Sequence, residues 1–150
     1  MPLNRRRFAS LLTLAPWATA RAADEADAPV RFEGFRFERR VSIAGVSLLL
    51  NGTGLRAVAW FKGFAAALYL SQRSAVPAQV VAMAGPKRLQ LRMLQEVPAE
   101  EFAKAFRKGV SRNMAADDVP LLAARMQSFE VLVRSLGTVR KGDTVDLDLD

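Results

Sequence analysis

The stretch from Trp60 to Leu70 constrains the fold more than any other, because it reads as one long strand with two unlike faces. One face carries Trp60, Lys62, Phe64, Ala66, Leu68 and Leu70; the other carries Phe61, Gly63, Ala65, Ala67 and Tyr69. Side chains alternate across a strand, so this pattern cannot sit still as a helix. A glycine inside a strand marks either tight packing against a helix or close approach of a ligand. Gly63 leaves both readings open.

Shorter strands are expected upstream. Phe32, Phe35 and Phe37 flank Gly34, Val41 and Ile43 alternate with polar neighbours before Gly45, and Val46 to Arg56 is apolar before turning glycine-rich at Gly52 and Gly54. Downstream, a short helix is expected over Val76 to Met83 and a strand over Lys87 to Leu94. Pro98 suits a first helical position, with Glu100 and Glu101 beside the positive helix end. Phe102, Ala105, Phe106, Gly109 and Val110 then recur at helical spacing. Lys104, Arg107, Lys108 and Arg112 lie off that stripe and read as a solvated face. Leu122, Met126, Phe129, Val133 and Leu136 form a second helical stripe, with Gly137 as its C-terminal stop. Thr144 to Asp150 alternates with period two and needs a partner strand for its backbone groups. Its abrupt end reads as a shortened chain. The pattern is α+β in a single domain over residues 30–150.

The N-terminus has a separate logic. Arg5-Arg6-Arg7 precedes the apolar stretch Leu11 to Ala18, and Ala20-Arg21-Ala22 is a small-x-small cleavage triplet. That is the pattern of a signal peptide over residues 1–22, followed by a tether over 23–29. The apolar run is too short to span a bilayer, and Pro16 interrupts it. Arg5-Arg6-x-Phe8 also fits a twin-arginine signal, so either export route is compatible. The expected location is the periplasm. The net charge of +7 owes much to this leader. Without Arg5, Arg6, Arg7 and Arg21, 18 basic residues face 15 acidic ones, too weak a footprint for a nucleic-acid partner.

The chain has no histidine and no cysteine. Thiol chemistry, imidazole general-base chemistry and a Ser-His-Asp triad are therefore excluded. Carboxylates do not converge at metal-binding spacing, so neither a metal nor another cofactor is expected. Arg56 is the conspicuous candidate, a permanent, planar charge ending an apolar strand just past two glycines. It can be a rim arginine paired with an acid, or the anion-binding group of a cleft.

Asn51-Gly52-Thr53-Gly54-Leu55-Arg56, Lys62, Ala67-Leu68-Tyr69-Leu70, Gly85-Pro86-Lys87-Arg88-Leu89, and Phe102, Phe106, Gly109 and Asn113 together resemble the bacterial chalcone isomerase-like family from Phe32 to Asp150. The resemblance implies an open-faced β-sandwich, a long antiparallel sheet covered on one side by helices, with a C-terminal hairpin and helix beyond this chain's end. In plant chalcone isomerases the arginine matched by Arg56 stabilises a phenolate, and in related fatty-acid-binding proteins it holds a carboxylate with a tyrosine. The strand threonine and helix tyrosine of the isomerases fall near Phe64 and at Phe102, so two oxyanion donors are missing.

The resulting expectation is an exported, non-catalytic binder of a small amphipathic anion such as a fatty acid. Arg56 would hold the head, Phe61, Phe64, Tyr69, Phe102 and Phe106 would line the cleft, and Asn113 would lie nearby. The alternatives are an intramolecular lyase or isomerase in which Arg56 is the catalytic group, and an interaction protein that meets a partner through an exposed sheet face.

Overall fold

The computed structural model describes residues 28–58 and 61–149. The leader, most of the tether and Trp60 lie outside the described residues. The chain begins with five strands, β1 (Val30–Phe32), β2 (Phe35–Phe37), β3 (Arg40–Ile43), β4 (Val46–Val58) and β5 (Phe61–Leu70). Then come α1 (Pro77–Ala82), β6 (Lys87–Met93), β7 (Val97–Pro98), α2 (Ala99–Asn113), a short 3-10 turn (Val119–Leu122), α3 (Ala123–Ser135), β8 (Thr138–Val139) and β9 (Thr144–Leu149).

Five strands form one antiparallel sheet in the order β3-β4-β5-β6-β9, and β1-β2 and β7-β8 are separate two-stranded ribbons. Two hairpins turn on a residue followed by glycine, both with positive φ: Glu33 (49°) with Gly34 (82°), and Ala44 (47°) with Gly45 (81°). Such two-residue turns match the natural twist of the flanking strands, and glycine takes the second position without strain.

β4 runs through Gly52 and Gly54, opposite Leu68 and Ala66. The irregularity lies one residue earlier. Asn51 is skipped between Leu50 and Gly52 in the pairing with β5, and its amide clamps Ser74, donating to the carbonyl (3.0 Å) and accepting from the N–H (2.8 Å). A second break follows Arg56, where Ala57 pairs with Lys62 and Gly63 is the extra residue. Extra residues of this kind bend a strand and strengthen its twist, which curls the sheet.

The curl gives the sheet two different faces. Under the β1-β2 hairpin lies a dry core of Phe37, Leu48, Leu50, Ala65, Ala67 and Tyr69, with Phe32 and Phe35 packed on it. Lys62 reaches Glu33 of the hairpin at 2.9 Å, and the Arg92 guanidinium lies over the Phe35 ring at 4.9 Å. The face opposite the helices is therefore not bare, and a hairpin of aromatic residues occupies much of it. Arg39 donates to the carbonyl of Ala28 at 2.7 Å, which ties the end of the tether to the domain.

The second face meets α2 and α3. Pro98 stands just before α2 rather than as its first residue. Arg107 is a clamp between the helices, bonding Glu130 at 2.6 Å and Glu100 at 3.3 Å, while Arg134 bonds the same two acids. Arg107 keeps to the solvated face expected of it, 39% exposed, and there meets the acid that α3 brings against it. Among the described residues no helix is long and apolar enough to cross a membrane.

Candidate functional site

Strand pairing places Arg56 of β4 directly opposite Phe64 of β5, and alternation sends both side chains to the helix-covered face. On that face β6 contributes Leu89 and Leu91, and β9 contributes Val145 and Leu147, in register as Leu91 with Val145 and Leu89 with Leu147. Helix α2 lays Phe102, Ala105 and Phe106 over these residues, three and four apart as one helical stripe requires. Helix α3 adds Phe129 and Val133, and the Phe106 and Phe129 rings meet at 4.3 Å and 41°. That tilted contact joins the two helices above the sheet.

Sheet and helices do not close completely on each other. Between them is a hollow of about 260 Å³. Arg56 is the one charged residue among its described walls; every other wall residue is apolar. A second hollow of about 220 Å³ shares Arg56, Phe64, Phe102 and Ala105 with the first and adds Gly63, Val97 and Glu101. Arg56 therefore borders both. Its side chain is largely exposed and has no hydrogen bond or ion pair with any described residue. Glu101, the nearest acid on these walls, is engaged by Lys104 at 2.7 Å. Arg56 is thus a rim arginine by position without the acid partner expected of one.

The other site candidates separate clearly. Phe64, Phe102 and Phe106 come together around the hollow with Arg56. Tyr69 does not, because it is an odd number of residues along β5 from Phe64 and so points to the opposite face. It is fully buried there under the hairpin, its hydroxyl without a described partner and its pKa pushed up to about 12, by burial first and then by Glu38 and Asp146. Asn113 ends α2, is exposed, and donates to the carbonyl of Gly109 at 2.8 Å away from the hollow. Phe61 begins β5, and its side chain lies outside the described residues. Sequence reasoning treated Phe129 and Val133 as core stripe and did not name Leu89, Leu91, Val145 or Leu147 as walls. Their signal was present as period-two and helical spacing, but only the strand order shows that they share one cavity.

The chemical repertoire follows from these walls. The larger hollow offers no group that exchanges a proton near neutral pH. Its single polar feature is a permanent donor array at the mouth, suited to a carboxylate or other planar anion. Among the described residues no cluster of acids could hold a metal ion.

The family model described as chalcone isomerase-like matches residues 29–150. A solved structure of an Arabidopsis thaliana fatty-acid binding protein is similar in fold, with a TM-score of 0.58 and 17% identity over 81% of this chain and 73% of that one. No curated protein sequence matches.

Proposed function

Since the chain belongs to the chalcone isomerase-like family, we propose that it binds a small amphipathic anion such as a fatty acid and does not transform it. The observation that carries this reading is a guanidinium with no partner among the described residues, at the mouth of a hollow whose other described walls are apolar. Apolar walls reward burial of a hydrocarbon body, and the arginine fixes an anionic head by paired, charge-assisted hydrogen bonds. Phe64 and Phe102 beside it offer no donor to a developing oxyanion, which favours binding over turnover. The fatty-acid binding neighbour of similar fold supports the same ligand class. The signal-peptide pattern over residues 1–22 supports binding outside the cytoplasm as part of the same proposal.

Titration of the purified protein with fatty acids, followed by calorimetry, tests the reading. Replacing Arg56 with Ala is expected to weaken binding by about tenfold to a hundredfold, the usual worth of hydrogen bonds to a charged group. An Arg56→Ala variant that binds fatty acids as tightly as the parent would remove the head-group site.

A further inference from the structure

We propose that the larger hollow measures the tail of its ligand and is filled by a straight-chain carboxylate of about ten carbons, longer chains gaining nothing more. The inference rests on the reading of Arg56 as the head-group anchor and extends it to the ligand's size. A dry cavity of roughly 150 Å³ lined by apolar side chains is filled by benzene, or about 25 Å³ for each carbon. At that ratio the 260 Å³ hollow accepts about ten carbons.

Three features assign the tail to this hollow. Its described walls beyond Arg56 are all apolar, so every methylene that enters leaves water for hydrocarbon. The smaller hollow carries Glu101 on its wall, a charge that a methylene chain cannot satisfy. The larger hollow also has a definite end. It runs from Arg56 on β4 across β5 and β6 to Val145 and Leu147 on β9, the edge strand of the described sheet. Leu136, another of its walls, is 55% exposed, so carbons beyond the hollow's capacity reach solvent without losing further apolar surface.

The expected signature is a break in a chain-length series. Each methylene inside the hollow should tighten binding about fourfold, the usual worth of one buried methylene. Saturated carboxylates from about six to about eighteen carbons, each below its micelle concentration, are titrated against the full chain by displacement of a fluorescent acyl probe. Affinity should climb steeply to about ten carbons and then level. Ala105 is an exposed helix position on the wall of both hollows, and leucine is nearly as good a helix former. Ala105→Leu places three more carbons in the space and should move the break shorter by about three carbons.

Affinity that keeps climbing through the longest chains would overturn the proposal, as would a break left in place by Ala105→Leu. Equal affinity at every length, still lost in Arg56→Ala, would keep the anchor and discard the measured tail. Absence of binding at any length would overturn the anchor and the tail together.

Discussion

Tyr69 and Arg56 show how much the face of a strand decides. Both are polar residues on the adjacent strands β4 and β5, yet one is sealed in the core and the other stands at the mouth of a cavity. A buried phenol with no described partner costs stability, because its hydroxyl gave up water for nothing. Tyr69→Phe is therefore expected to stabilise the fold by about 1 kcal/mol in denaturant titrations near pH 7. The pH dependence has a definite sign. Burial raises the phenol from 10.0 to about 12, so the folded state keeps a proton that the unfolded chain loses above pH 10. That contribution is intact below pH 10 and drains away as pH rises toward 12. The phenylalanine variant should lose less stability than the parent over this range, and an equal loss in both would refute the assignment.

At the scale of elements, β9 is an acid-rich edge strand held by arginine. Arg88 makes a two-pronged contact with Asp148 (2.7 and 2.6 Å) and reaches Asp146 at 3.4 Å, while Gln90 donates to Asp146 at 3.0 Å. The hydrogen bond from Arg88 holds the Asp148 carboxyl below its ordinary range. A lowered carboxyl pKa stabilises the fold above the unfolded value and ceases to do so as pH falls through the folded one. Protection factors along β9, taken after division by the intrinsic exchange rate at each pH, should accordingly fall on acidification below about pH 4. The change should be about fivefold at most, since half-exposed pairs are worth no more than about 1 kcal/mol. Arg88→Met should speed exchange already at neutral pH and abolish the acid response; unchanged protection would mean that apolar contacts alone hold the strand. Most elements were legible from spacing, because β5, α2, α3 and β9 each turn their more shielded residues inward at their own period. The β7-β8 ribbon was not, since two residues carry no period and it forms only when Val139 returns to Val97. The hollow was half legible. Phe102 and Phe106 announce a greasy stripe, but its opposing wall depends on which strands lie side by side, a relation between distant parts of the chain.

For the molecule as a whole, the domain and the expected leader part company in charge and in extent. The matched family region begins at residue 29, the last residue of the expected tether. Export predicts that the protein recovered from a periplasmic fraction starts near Ala23, as read by N-terminal sequencing or intact mass. Recovery of residues 1–22 on a cytoplasmic product would refute the export reading. The domain itself divides its labour by layer: the hairpin side is sealed and stabilises the fold, while the helix side keeps space free.

The alternation of β5 has a consequence for how such a protein can change. Neighbouring residues on this strand answer to different demands, Ala65 and Ala67 to the sealed layer, Phe64 to the open one. Substitutions at every second position can reshape the hollow while leaving the other half of the same strand untouched. Change in the cavity and preservation of the scaffold can thus proceed on one short piece of chain, interleaved but nearly independent.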